Sequence, residues 1–397
     1  MSKKRIAFTT ASVAFMLSLV AAGLLGQSGS DSGLYKPLSI FNEAFSLVRS
    51  SYVEEESADR LIEGAFSGLT DAIDEFSYYV PPSQMAHYKK GPADSGATSL
   101  GMVVTKKFGY AYVISAVPGS AAAKGGVERG DIIEKIDGLP TQPMSIWQVR
   151  SALLLGTRPV RVTVLRGGLT KRDEFSIKRE SFQPAAPDES IMGDVALIKI
   201  PWFAPGSAAQ FRQSLADVRQ SGKKKLIVDV RGNAGGSSEE AIAAADALLS
   251  KGLITSIVGR RAEPKSWQAD RQTDFDGEVL VLTDGSTAAA GEVFAAAIRG
   301  NQRGRLVGVP TYGKSVVQKF IVLPSGGGLF MTVGHYTTPD LKPIKEQGVR
   351  PDVMVDMTSL ALRDPEKKKS DKPEEDLILR KALSLFGETA AVVKLAA

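Results

Sequence analysis

The sequence predicts an α/β chain, a parallel-sheet core preceded by a β-rich module, and three observations carry that reading. Short, mostly apolar runs at Val195–Pro201 (VALIKIP), Lys225–Val230 (KLIVDV) and Glu278–Leu282 (EVLVL) alternate with segments of helical spacing. That is the pattern of strands covered on both faces. Upstream, residues 99–180 hold short β-rich runs punctuated by Gly and Pro. A 43% hydrophobic and 23% charged composition over 397 residues suffices for more than one buried core.

Residues 1–26 open with Lys3, Lys4 and Arg5 and then run apolar from Ile6 to Gly26. A basic start before such a run is the form of an export signal, and its length also suits a membrane anchor. The body is therefore expected outside the cytoplasmic membrane, in a bacterial periplasm. Residues 27–37 begin QSGSDSG and form a spacer. Residues 38–96 hold two stretches of helical apolar spacing, Leu38–Tyr52 and Leu61–Ile73, before Pro81-Pro82 breaks the chain. On its residues this segment is a helical unit with no chemistry in it.

Several function classes drop out on composition. A net charge of +5 without a basic stripe interleaved with aromatics gives no case for nucleic acid. Cysteine is absent, which excludes disulfides, thiolate chemistry and lipoprotein attachment. His87 and His335 are too few and too far apart for a metal constellation or a Ser-His-Asp triad.

Within residues 97–181, β-rich runs at Met102–Thr105, Ala111–Ile114, Asp131–Ile136 and Val160–Val164 are joined by SAVPGSAA (115–122), Gly126-Val127, Gly130-Asp131 and Asp137-Gly138. In the core, residues 182–362, a helix is expected between the first two strands at Ser207–Gln220. The loop Arg231-Gly232-Asn233-Ala234-Gly235-Gly236 then leads to an Ala-rich helix, Glu239–Leu249. Glycines between a strand end and a helix start free backbone N–H groups to face an anion.

The most informative stretch is Asp284–Gln318. An apolar strand feeds a turn of small residues, a helix with Glu292 in its first turn, a second strand (Arg305–Val309) and a Pro-Thr-Tyr-Gly bend before Lys314. Strand–turn–helix with small residues is how α/β hydrolytic enzymes present a nucleophile. Lys314 has apolar neighbours Val316 and Val317, a setting expected to lower an amine's pKa. Gln318, four residues on, falls on the same face of a regular strand.

This stretch resembles the serine-lysine signature of the carboxyl-terminal processing proteases, the tail-specific peptidases of the S41 family. There a turn reading roughly S-T-A-S-A-x-E carries the nucleophile three residues before the glutamate. A lysine follows the serine by 25 residues, and a glutamine follows the lysine by four. Here Glu292 places the nucleophile at position 289, and 314 − 289 = 25, so Lys314 and Gln318 match while Ala289 stands where serine is expected. The resemblance extends upstream through Glu63, Gly64, Ala65, Gly68 and Leu69, then Asp74, Ser77 and Tyr79. It extends downstream through Gly348-Val349-Arg350-Pro351-Asp352. Residues 97–181 resemble a PDZ domain, with Leu100, Gly101 and Met102 in the place of the loop that captures a peptide's C-terminal carboxylate.

What the resemblance implies is a ClpP/crotonase-like α/β (α+β) core with an inserted PDZ domain and an N-terminal helical segment. The implied activity is a periplasmic serine endopeptidase that acts on envelope proteins through their C-terminal tails. Lys314 would be general base, Gln318 its orienting residue, and Gly235, Gly236 and Ala290 the oxyanion hole, with no metal or organic cofactor. Helical-repeat lipoprotein adaptors are common partners of the family. Residues 363–375 form a charged linker, and residues 376–397 an amphipathic helix expected to pack on the core or on another subunit of a homo-oligomer.

Ala289 leaves three readings. One is a serine-to-alanine form of a working protease, favoured because everything that serves the missing hydroxyl is intact. Another is a tail-binding pseudoprotease or adaptor. The third moves the nucleophile to Ser286, whose place before the helix suits a turn or capping residue better. Ser315 is expected to point to the strand face opposite Lys314.

Overall fold

A computed structural model describes residues 32–90, 100–156, 158–166, 171–180, 183–345, 347–357 and 376–388. The expected export segment, residues 27–31 of the spacer and the charged linker lie outside the described residues. Residues 32–37, also expected to be spacer, instead open the first helix, since the helical apolar spacing of Leu38, Phe41 and Phe45 continues back to Leu34. Among the described residues no helix is long and apolar enough to cross a membrane. The chain divides into two compact units, residues 1–66 and 67–397. The first contains a helix at Ser32–Ser51 and most of another at Ala58–Asp71. Leu38, Ile40, Phe41 and Leu47 are exposed on the first helix.

Among its described residues the second unit contains three sheets. In strand order, the core has β8 (Asp188–Met192), β9 (Val195–Lys199), β10 (Lys225–Asp229), β13 (Glu278–Thr283), β14 (Arg305–Gly308) and β17 (Val353–Met354). They lie side by side as β17-β14-β13-β10-β9-β8, all parallel except the β8 edge. The continuous apolar runs follow from burial on both faces. Leu226, Val228, Val279 and Val281 pack under the helices Ser207–Gln220, Ser238–Leu248 and Ala290–Gly300. Ile227, Leu280 and Leu282, one residue out of phase, meet Ile378, Leu379, Ala382 and Leu383 of a C-terminal helix, Leu377–Leu385. That helix therefore covers its own chain's second sheet face.

The antiparallel second sheet runs β1-β16-β11-β12, with β15 also on β16. Its strands are β1 (Tyr78–Val80), β11 (Gly252–Val258), β12 (Lys265–Ala269), β15 (Val316–Val322) and β16 (Gly328–Tyr336). Here the structure corrects one expectation. Residues 74–80, assigned by sequence to a helical unit without chemistry, lie beyond the helix, and Tyr78–Val80 pair with β16, Tyr78 facing Phe330.

The third sheet, β2-β3-β4-β6-β7, comprises β2 (Met102–Lys107), β3 (Tyr110–Ala116), β4 (Ile132–Ile136), β6 (Val160–Arg166) and β7 (Lys171–Ile177), with β5 (Leu139–Pro140) on β4. A helix, Ile146–Leu154, begins with a Ser145–Gln148 capping box. Its Trp147 joins an aromatic cluster with Tyr78, Tyr88, Phe320 and Phe330, the Tyr88–Phe320 centroids lying 4.3 Å apart.

The C-terminal helix is fastened by charge as well as by apolar contact. Asp376 caps it, Oδ1 accepting from the Leu379 N–H at 2.9 Å and from Arg231 Nη1 at 2.7 Å. Arg231 also grips Asp229 bidentately, at 2.9 and 2.7 Å. Burial raises the Asp376 pKa, but the hydrogen bond and charge of Arg231 outweigh it and hold the carboxyl below the ordinary range. A depressed folded-state pKa contributes stability above the unfolded value of 3.8, lost as pH falls through the folded one. Asp376→Asn is expected to cost about 1–3 kcal/mol near pH 7, a difference that shrinks below about pH 4. Urea unfolding at both pH values measures it, and a pH-independent difference would refute the ion pair as its source.

Candidate active site

The turn between β13 and the helix Ala290–Gly300 forces one residue into an unusual backbone conformation. Ala289, at the N-cap, has φ 49° and ψ −113°, the region of the first central residue of a type II′ turn, which favours glycine. An elbow of this kind lifts the side chain of residue 289 off the helix start. Ala289→Gly, relieving the strain, is expected to stabilise the fold by about 1 kcal/mol. A melting temperature higher by about 2–4 °C is the readout; a lower one would mean that residue 289 is not strained.

What holds the elbow is Glu292, 0% exposed, whose carboxylate receives five donors. Oε2 accepts from the Ala289 N–H (3.0 Å), the Lys314 N–H (2.8 Å) and Ser315 Oγ (3.1 Å). Oε1 accepts from Thr311 Oγ1 (2.6 Å) and the Gly313 N–H. Burial pushes the Glu292 pKa up, and the donors offset part of that rise. One side chain thus fixes the backbone at residue 289 relative to the backbone at Lys314. Sequence reasoning noted Glu292 only as a landmark of the motif. The signal was a glutamate at the third helical position, where a capping-box carboxylate reaches back to the N-cap N–H.

Lys314 is 5% exposed, and its Nζ lies over the Phe76 ring, 5.2 Å from the centroid. Gln318 Nε2 donates to the Phe76 carbonyl at 3.1 Å. The two-residue strand period is not what brings Lys314 and Gln318 together. β15 begins only at Val316, and its register on β16 shifts between Val317 and Gln318.

The glycine loop crosses the elbow closely. The Gly235 carbonyl accepts from the Phe203 N–H at 3.4 Å, so the trans peptide turns the Gly236 N–H away from Phe203. Gly236 has φ 98°, and a Cβ there would sit 2.3 Å from the Phe203 oxygen; one on Gly235 would sit 2.6 Å from the Trp202 ring. The Asn233 carbonyl accepts from the Ala288 N–H at 2.9 Å, and Asp284 Oδ1 accepts from the N–H groups of Gly232, Ser286 and Thr287. Ala290 is the first helical residue, and its N–H is among those with no intrahelical acceptor.

These parts converge. Ala289, Lys314, Gln318, Gly235 and Gly236 line one cavity of ≈ 420 Å³, with Arg150, Glu239 and Tyr336 among the other walls. Ala290 sits behind Ala289, buried and outside the lining. Ser286 belongs to the Asp284 turn. Ser315 reaches the elbow, but its hydroxyl donates to the Ala289 carbonyl (3.0 Å) and to Glu292. Among the described residues no group of acidic, histidine or cysteine side chains has metal-site spacing.

Leu100, Gly101 and Met102 lead into β2 at the sheet edge, which positions them for strand addition. Leu100 and Met102 are fully buried, and the Leu100 and Gly101 carbonyls accept from Ala122 and Val117 within the module. The module also touches the glycine loop and the elbow: Ser115 Oγ donates to the Gly232 carbonyl at 2.9 Å, and Val103, Ile114 and Val117 share a cluster with Trp202, Ala234 and Ala288.

Comparison with known proteins matches residues 194–355 to peptidase family S41 and residues 112–166 to the PDZ domain. The chain is similar to the carboxy-terminal-processing protease of Bartonella bacilliformis, 29% identical over 363 residues, spanning 89% of this chain and 83% of that one. It is also 28% identical over 365 residues to the carboxy-terminal processing protease CtpA of Bacillus subtilis, spanning 90% of this chain and 77% of the relative. Among solved structures, the photosystem II D1 C-terminal processing protease shares the fold with a TM-score of 0.68. It has 24% identity and covers 80% of this chain and 92% of that one.

Proposed function

We infer, for a chain whose residues 194–355 belong to peptidase family S41 and whose residues 112–166 form a PDZ domain, a Ser-Lys endopeptidase apparatus that processes C-terminal tails and lacks only its hydroxyl. One observation carries the mechanism: strained residue 289 shares a cavity with Lys314, Gln318 and the glycine loop. With serine at 289, Oγ attacks a peptide carbonyl while its proton passes to Lys314, which therefore must start neutral; burial favours that form. The developing oxyanion meets N–H groups of the Gly235-Gly236 loop and of Ala290, an arrangement worth several kcal/mol. Lys314 then hands the proton to the leaving amine, and water resolves the acyl-enzyme. Gln318, anchored on the Phe76 carbonyl, orients the amine without adding charge.

As written, with Ala289, the chain binds tails and does not cut them. Its amino-terminal segment directs it to the periplasm, its substrates are envelope proteins, and it works as a homo-oligomer with or without a helical-repeat adaptor. A product map tests the function: the Ala289→Ser form is given an unfolded protein with an apolar tail, free or amidated at its C-terminus. Cuts near the tail that need the free carboxylate support the reading, and carboxylate-independent cuts refute tail selection. Alanine at 289 also favours a second reading, a tail-binding module with no cleavage, which stands if both forms bind the tail and neither cuts.

A further inference from the structure

We propose that Phe76 is a catalytic residue of this site, its ring holding the ammonium that Lys314 becomes when it takes the nucleophile's proton. The inference rests on the Ser-Lys reading above and adds a group that the 289–314–318 signature does not contain.

The geometry is specific. Lys314 Nζ stands 5.2 Å from the centroid of the Phe76 ring, and both residues are buried, at 5% and 7% exposure. The ring belongs to one apolar cluster with Val103, Ile114, Val117, Trp202, Ala234 and Ala288, which draws on the PDZ module, the glycine loop and the elbow. Its backbone is pinned. Asp74 Oδ1 accepts from the N–H groups of Phe76 (2.8 Å) and Ser77 (2.7 Å). The Thr332 N–H donates to Ser77 Oγ, and Tyr312 Oη donates to Glu75 Oε1. The same residue that presents its ring to the lysine presents its carbonyl to Gln318.

An aromatic face attracts a cation and does little for a neutral amine, and the attraction is strongest away from water. In acylation the serine O–H bond breaks and its proton goes to Lys314 Nζ. The Oγ–C bond forms, and the carbonyl π pair moves to oxygen. A neutral pair thereby becomes an ammonium and an oxyanion. The oxyanion has its backbone donors, and the ring is the matching group for the ammonium. Because it favours only the charged form, its contribution appears on the reaction path more than in the resting site. The charged groups around the amine are Glu75, which acts on Lys314 through space, Glu292 under its own N–H, Arg150 and Glu239 in the cavity wall, and Lys345 bridged to its backbone. None of these groups is itself replaced in a Phe76 variant.

The first test uses the full chain as it stands, with Ala289. Lysine carbon-13 NMR titration of Lys314, assigned by its loss in Lys314→Ala, is compared between the parent and Phe76→Leu. Removing a ring that stabilises the ammonium is expected to lower the Lys314 pKa by about one unit; no change or a rise overturns the proposal. The second test uses the Ala289→Ser form with singly, doubly and triply fluorinated phenylalanine at 76, which keep the shape and drain the ring face. A stepwise fall in kcat to about one-tenth, KM constant, with the acid limb moving to lower pH, is expected. A flat fluorine series, or a loss in Phe76→Leu that fluorination does not reproduce, assigns the ring to packing and overturns the proposal. A serine form that cuts nothing sinks the Ser-Lys reading, while the titration still decides the ring's interaction with the amine.

Discussion

Ala289→Ser is expected to raise kcat for peptide cleavage by about 10⁴–10⁶-fold over the parent, the range lost when serine hydrolases are stripped of their nucleophile. The argument is that the elbow is already built. Residue 289 keeps φ 49° with no hydroxyl present, because Glu292 and the Asn233–Ala288 bond hold the turn. Serine adds one oxygen to a half-buried position that already lines the cavity with Lys314. Adding Lys314→Ala is expected to return the rate to background, since among the described residues no other amine lines that cavity. Lysine-independent cleavage by the serine form would place the base elsewhere, and cleavage by the alanine form would place the nucleophile elsewhere. Product formation followed by mass spectrometry distinguishes these outcomes.

The second large effect is at Glu292. Glu292→Ala orphans five buried donors, three of them main-chain, and is expected to cost about 4–5 kcal/mol, at the upper end for single substitutions. Glu292→Gln should be nearly as harmful, about 3–5 kcal/mol, although it is isosteric. Both carboxylate oxygens accept backbone N–H groups, Ala289 and Lys314 on one and Gly313 on the other. Either orientation of an amide therefore turns an NH₂ against a donor. Urea unfolding measures the cost, and a glutamine variant within about 1 kcal/mol of the parent would mean that the five-donor clasp does not operate as drawn. In the serine form both variants should also lose activity, because the base and the nucleophile would no longer share one anchor.

The legible parts of this molecule are those whose partners are near in sequence or whose faces repeat. Apolar runs such as Leu226–Val228 signalled strands covered on both sides, and small residues before Glu292 signalled the elbow. The spacing of 289, 314 and 318 matched a family pattern, and all three positions line one cavity. Less legible was the reason for their meeting, since a register shift at Gln318 voids the parity argument. Nor did helical periodicity reveal that residues 74–80 leave their helix to run beneath Lys314. Only pairing with β16 shows it. The C-terminal helix was visible as amphipathic, but its choice of face depends on Asp376 meeting Arg231, 145 residues away in sequence.

The segment Asp74–Ser77, whose Phe76 lies under Lys314, sets an order of assembly. The elbow and the Glu292 clasp join residues 3 to 23 apart and close early. The Gln318–Phe76 bond spans 242 residues and the Thr332–Ser77 bond 255, among the most non-local contacts here. Such contacts form late, after the intervening chain has collapsed. A chain emerging amino end first displays Phe76 long before any lysine can reach it. In the Ala289→Ser form, peptidase competence would thus be tied to completed folding, and an unfinished copy would lack the means to attack its neighbours.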